Sequence, residues 1–324
     1  MKAISSRRGR SPDNLKVLDL AKPVPRRNEV LVAVSFASVT RGDVLLRTIP
    51  RPILLVLGGL FGFKPMDIPG VEFAGTVMEK GADVGAWQVG DRVAGTTTGL
   101  RYGANAEYVC VPSQSSGGVL VGIPDGVTDR DAAATVVGGM TGMQILNRVQ
   151  PVKGRTVLVY GCSGSVGSLV AQIARSMGAV VTGVCGTESR GRVADLGMSR
   201  VLDYNEDSWR SEKADVVIDA VGKLTRRQVR ALLEPGGRFG SVRRPTREVR
   251  EELAGVLRLL ESGEITPLID REISLDEVAA AHAYVATGRK KGNIVVKVAS
   301  ASHEAANRVV SRPRDRATAR RAAT

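Results

Sequence analysis

The chain has 324 residues, 43% of them hydrophobic and 24% charged, with a formal net charge of +13. That length suits two domains of about 150 residues each, and the composition excludes a disordered or fibrous chain. Three cysteines, Cys110, Cys162 and Cys185, are too few and too scattered for a disulfide framework, so free thiols in a reducing compartment are expected.

The start, "MKAISSRRGRSPDN", is basic and lacks the apolar segment of a signal peptide, which points to a cytoplasmic protein. The first 120 or so residues are β-rich: "NLKVLDL", "EVLVAVSFASV", "GVEFAGTVMEKG", "VGDRVAG" and "AEYVCV" are short, Val-rich and separated by Gly and Pro. No helix of normal length is expected there. The most apolar run, "ILLVLGGLFGF" at 53–63, is too short to span a bilayer, which needs about 20 residues. A pocket lid or buried loop is expected, with shallow membrane contact as the lesser alternative.

Near Asp125 the pattern changes. "DRDAAATVVGGMTGMQILNRV" predicts a helix interrupted at Gly138 and Gly139. Then "TVLVY" predicts a buried strand and "SVGSLVAQIARSM" a helix with Val166, Leu169, Val170, Ile173, Ala174 and Met177 on one face, stopped by Gly178. "VVTGVC", "RVLDY", "ADVVIDAVG" and "GRFGSV" supply further strands, with "SRGRVADLG" and "TREVREELAGVLRLLESG" as helices. Alternating strands and helices imply an α/β fold with a doubly wound parallel sheet. From about Leu268 one helix, "LDEVAAAHAYVATG", and one strand, "NIVVKV", could rejoin the first domain. The end, 299–324, carries six Arg against two acids and few large apolar residues, the composition of a basic disordered tail.

Between "TVLVY" and its helix stands "GCSGSVG". A small-residue turn from strand to helix lets a pyrophosphate approach the main chain, and the helix N-terminus offers it unpaired N–H groups. Read as G-x-G-x-x-G, Cys162 takes the first role, with a small side chain, and Gly164 and Gly167 take the second and third. A thiol at a positive helix end would have a lowered pKa, so Cys162 is also a candidate reactive group. No Lys-Ser/Thr pair follows, which excludes a P-loop. NAD sites place an acid about 20 residues on, at the end of the second strand. Here Cys185 ends that strand, and "GTESRGR" follows, with Thr187, Arg190 and Arg192 suited to a 2′-phosphate and Glu188 opposing it. NADPH is therefore the expected cofactor.

In order along the chain stand "EVLVAVSFASVTRGDVLLR", "IPGVEFAGTV", "VGDRVAG", "GANAEYVCVP", "VVGGMTGMQIL", "VLVYGCSGSVGSLVAQIARSMGAVVTGVC", "LDYNED", "DVVIDAVG" and "KKGNIVVKV". Together they resemble the medium-chain dehydrogenase/reductase superfamily, closest to its zinc-independent, quinone oxidoreductase-like branch. The resemblance implies a GroES-like β domain at 1–123, a Rossmann NADPH-binding domain at 124–266, and a return segment at 267–298. It implies cofactor contacts from Thr141, from the loop Ser163, Gly164, Ser165, Val166 and Gly167, and from Thr187, Tyr204, Val221, Gly222 and Asn293. It makes Thr40 and Asp43 substrate-pocket candidates, and it implies a homodimer.

Zinc-dependent members use Cys and His where this chain has "SVTRGD" and Val71. Two His and three scattered Cys cannot make a Cys/His zinc site of ordinary spacing. His282 lies in an Ala-rich helix and His303 in the tail. No metal is expected. The function implied is hydride transfer from NADPH to a small hydrophobic quinone, activated alkene or carbonyl. Asp43 could act as an acid only if burial raised its pKa; otherwise it caps a helix turn or pairs with Arg41 or Arg47. The alternative is a non-enzymatic nucleotide-binding protein whose basic surface and tail bind RNA or a partner. A low aromatic content of 4% weighs against RNA reading.

Overall fold

The computed structural model describes residues 1–6, 11–61, 67–97, 102–114 and 118–298. The basic tail and its His303 lie outside the described residues. Two strands open the chain, β1 (Lys2–Ser5) and β2 (Lys16–Asp19), paired antiparallel. Then come β3 (Glu29–Ser38), the helices α1 (Arg41–Thr48) and α2 (Arg51–Phe61), and the strands β4 (Glu72–Lys80), β5 (Arg92–Thr96), β6 (Tyr108–Pro112) and β7 (Leu120–Gly122). After α3 (Asp129–Arg148), strands and helices alternate: β8 (Thr156–Tyr160), α4 (Ser165–Ser176), β9 (Val180–Cys185), α5 (Arg190–Ala194), β10 (Arg200–Asp203), β11 (Ala214–Asp219), α6 (Arg226–Leu232), β12 (Leu233–Ser241) and α7 (Arg250–Glu261). The last elements are β13 (Ile269–Ser274), α8 (Val278–Ala286) and β14 (Asn293–Lys297).

β8 to β12 form a parallel sheet in the order β10-β9-β8-β11-β12. The order reverses between β8 and β11, and open α/β sheets bind ligands in the crevice at such a reversal. The apolar stripe of α4 does what its spacing predicts: Leu169, Val170, Ile173 and Ala174 are fully buried against the sheet with Val157, Val159, Val181 and Ile218. Each such Leu, Ile or Val contributes about 1.5–3 kcal/mol by leaving water. The other large sheet runs β13-β14-β3-β4-β5-β7, with β6 also on β3. Its core gathers Val32, Val34, Phe73, Val77, Val93 and Ile294. β14 pairs antiparallel with β3, so the end of the described chain returns to the sheet built by β3 to β7.

Several expectations need correcting. α3 is one continuous helix through Gly138 and Gly139. These glycines allow close packing: a Cβ on Gly139 would lie 2.5 Å from Val256 of α7, and one on Gly142 would lie 2.9 Å from Val170 of α4. The N-terminal region holds two helices where none was expected. Thr40 and Asp43 form a reciprocal capping box that starts α1. The run at 53–63 is helix α2 as far as Phe61, with 62 and 63 outside the described residues, and Ile53, Leu55, Val56 and Leu60 are exposed rather than buried. β13 carries no strong strand pattern and was not foreseen.

The first role in the Gly-rich turn also moves. Gly161 adopts φ +92° and packs under Val221, where a Cβ would come within 2.3 Å, so Gly161 and not Cys162 makes the tight turn. Gly167 is needed for close approach, since a Cβ there would lie 2.0 Å from the Gly161 carbonyl oxygen. Gly164 has no such clash; its nearest neighbour would be 3.5 Å away. Gly167→Ala is therefore expected to destabilise the protein by about 3 kcal/mol or more, and Gly164→Ala by less than about 1 kcal/mol. Thermal unfolding of the two variants checks this; equal losses would contradict it.

Candidate functional site

The site grows from the turn after β8. No side chain caps α4 at Gly164, and the first intrahelical bond is Ser168 N–H to the Gly164 carbonyl, at 2.9 Å. The amides of Ser165, Val166 and Gly167 thus have no partner within the helix, and the positive dipole end lies with them. This donor set fits a pyrophosphate. Ser163 and Val166 lie in the same turn. Thr141 sits on α3 between Gly138 and Gly142, the positions against which the start of α4 packs.

Three further strand ends converge there. The Asp219 carboxylate at the end of β11 accepts from the amides of Val221, Gly222 and Leu224, at 3.1, 2.7 and 2.9 Å, and so shapes the neighbouring turn. Gly222 takes φ +79° there. The Tyr204 hydroxyl lies 3.4 Å from where a Cβ on Gly161 would be, which puts its ring over the turn. Tyr204 also packs against Tyr160, ring centres 4.8 Å apart and planes tilted by 59°. From the return segment, Gly292 bridges Gly164, and Ser165 Oγ donates to the Gly292 carbonyl at 2.8 Å. Asn293 is buried and donates Nδ2 to the Leu268 carbonyl at 3.2 Å.

The 2′-phosphate candidates separate. Thr187 opens a short turn after β9 and accepts from Asn205 Nδ2 at 3.3 Å. Arg190 stays beside it, with long contacts of 3.4 Å to Glu206 and to the Val201 carbonyl. Arg192 turns away toward the return segment, bonding Asp270 and the Ile269 carbonyl. Glu188, the acid that weighed against a phosphate, is ion-paired with Lys291. Lys291 was not foreseen. Cys162 is fully buried against Gly183, and its hydrogen bond with Cys185 and its burial raise its pKa. The expectation of an activated thiol at the helix end is overturned, because the side chain points into the sheet.

A second cluster lies where the two sheets meet. Asp43 is 1% exposed; its Oδ2 accepts from Thr40 N–H at 2.7 Å and from Thr40 Oγ1 at 2.6 Å. Its Oδ1 is buried with no hydrogen-bond partner among the described residues. Burial raises the Asp43 pKa, against the lowering by Thr40. Glu72 on β4 is 2% exposed, accepts from Ser38 Oγ, and accepts from the Val137 amide of α3 at 2.7 Å. Burial pushes its pKa up to about 7. Lys290, whose pKa burial lowers, lies in the field of both carboxylates and donates to Ser165 Oγ at 2.7 Å. Lys290 thereby links the acids to the turn after β8. The Tyr102 hydroxyl, within the field of Asp43, is also buried without a partner among the described residues. Tyr102 holds φ +58°, a strained value for a residue with a side chain. His282 is fully buried and burial lowers its pKa to about 4, so it is a core residue. Among the described residues no group of three or more His, Cys, Asp or Glu could hold a metal ion.

Glu72, Lys290 and Tyr102 were missed. The signal for Glu72 was an acid inside the apolar strand pattern "GVEFAGTV". Lys290 and Tyr102 carried none, because only tertiary packing brings them to the acids.

Comparison with known proteins gives these features a context. Residues 26–125 match the alcohol dehydrogenase GroES-like domain, and residues 165–266 and 243–296 match two zinc-binding dehydrogenase domain models. A 2-methylene-furan-3-one reductase of Solanum lycopersicum is 29% identical, over 91% of this chain and 79% of its own. A quinone oxidoreductase of Lama guanicoe is 28% identical, over 87% and 92%. The solved quinone oxidoreductase from Coxiella burnetii superposes with a TM-score of 0.79 at 27% identity, over 92% of this chain and 99% of that one. A GroES-like sheet joined to a Rossmann-type sheet, in this company, defines an NAD(P)H-dependent oxidoreductase. The chain belongs to the medium-chain dehydrogenase/reductase superfamily, in its quinone oxidoreductase-like branch.

The Glu72 pKa has a consequence for stability. A carboxyl whose folded pKa is about 7 against an ordinary 4.5 favours folding below pH 4.5, and that contribution is lost as pH rises to about 7. The loss is on the order of 3 kcal/mol, at about 1.4 kcal/mol per unit. Glu72→Gln does not titrate, and its amide can accept from the Val137 N–H while donating to Ser38 Oγ. In urea unfolding, the stability of the native protein relative to this variant should fall across that range. A difference independent of pH would contradict the assignment.

Proposed function

We propose that the protein is an NADPH-dependent reductase that works without zinc and reduces a small hydrophobic quinone, enone, enal or carbonyl compound. The observation that carries the reading is the uncapped N-terminus of α4 at the sheet's reversal point, closed from the far side by Gly292 and Lys290 of the return segment. The amides of 165–167 bind the pyrophosphate, Ser163 and Thr141 flank it, and the turn at Val221 and Gly222 with Asn293 borders the nicotinamide end. Thr187 and Arg190 take the 2′-phosphate, with Tyr204 beside the adenosine; Lys291 neutralises Glu188. Arg192 serves instead as a tie to the return segment.

When bound, the cofactor supplies the hydride. The protein's residues orient the reactants and keep water out. Thr40 and Asp43 form the substrate side of the pocket. Asp43, kept toward its protonated form by burial, is suited to donate a hydrogen bond or proton to the substrate oxygen. Residues 1–123 with 267–298 make the substrate unit and 124–266 the cofactor unit, in a homodimer as the resemblance implies, and the protein is cytoplasmic.

The test is oxidation of reduced cofactor in the presence of quinones, enones and aldehydes. NADPH should be oxidised with at least part of the panel, and Arg190→Ala should raise its Kd about tenfold while leaving NADH little changed. No oxidation across the panel would overturn the reductase reading. Equal affinity of the native protein for NADPH and NADH would overturn the phosphate site.

A further inference from the structure

We infer that α2 is a docking surface for an anionic lipid bilayer, on which the protein lies as a peripheral membrane protein. At about 100° per residue, Ile53, Leu60, Val56, Pro52, Gly59 and Leu55 follow one another around an arc of about 160°. All six are exposed, and none is polar. Val56 is 70% and Leu60 75% exposed, values far from those of a core face. The helix before it adds Leu45, also exposed. A contiguous apolar helix face left in water marks an interaction surface.

Charge selects the occupant. Residues 44–66 contain no Asp or Glu, and Arg51 and Lys64 stand on either side of the apolar run in sequence, while Arg47 buries its Nε and Nη1. The whole chain carries +13. An apolar run flanked in sequence by cations is the pattern of a helix that lies in the headgroup layer, where basic residues are drawn to an anionic surface. The helix has 11 residues, about 16 Å, so it lies along a membrane rather than across it. A second copy of the chain fits less well. A two-fold contact would set this acid-free segment against itself, bringing cations together with no carboxylate of the segment to pair them.

The experiment is co-sedimentation of the full chain with vesicles of phosphatidylcholine alone, or mixed with phosphatidylglycerol. The native protein should pellet with the mixed vesicles and much less with the neutral ones. The variant V56E/L60E should lose about tenfold in partitioning, with an unchanged melting temperature, because both positions are exposed. Removing 299–324 should weaken binding through lost charge and leave the V56E/L60E effect in place. Three outcomes would overturn the inference: no binding by the native protein, equal binding by V56E/L60E, or a native dimer that V56E/L60E dissociates, which would assign the face to a second copy.

Discussion

The closeness of α4 to the end of β8 governs this molecule. No side chain fits at position 167, because the Gly161 carbonyl occupies its place. That contact draws the helix against the sheet and aims its first amides at the crevice where the strand order reverses. Gly161 can turn the chain so sharply only because glycine adopts positive φ freely. The bridge from Gly164 to Gly292 then brings the return segment over the same turn. The cofactor site, the junction of the two sheets and the path of the last strands all follow from one backbone approach.

At that junction the protein buries acids, which is costly unless hydrogen bonds or opposite charges offset the lost hydration. Glu72 is held by Ser38 and by an amide of α3, so a carboxylate of β4 is tied to a helix that packs on that sheet with one side and on α4 and α7 with another. Asp43 accepts from Thr40 on one oxygen, and its other oxygen has no hydrogen-bond partner among the described residues. Lys290 offsets both and reports to the turn through Ser165.

Much of this was legible in the residues. The strand–turn–helix around Gly164 and Gly167, the apolar stripe of α4 and the alternation after Asp125 all express short-range periodicity, which a sequence displays directly. The errors came where tertiary packing decides. Gly138 and Gly139 looked like breaks because their packing against α4 and α7 is invisible locally. Cys162 looked reactive because its position was judged along the chain, while its side chain turns into the sheet. Arg192 was read beside Arg190, but about half a helical turn on its side chain reaches Asp270. The run in α2 was read as a pocket lid or buried loop, with shallow membrane contact the lesser alternative; its exposed apolar face could be known only from the fold.

The central claim is that a nicotinamide dinucleotide lies on the N-terminus of α4. Amide hydrogen exchange of the full chain, with and without NADPH, tests it most directly. The account predicts slowed exchange at residues 161–168 and around Gly222 and Gly292, where the pyrophosphate turn, its neighbouring strand end and the return segment meet. Saturating NADPH with no change in exchange at 161–168 would contradict it.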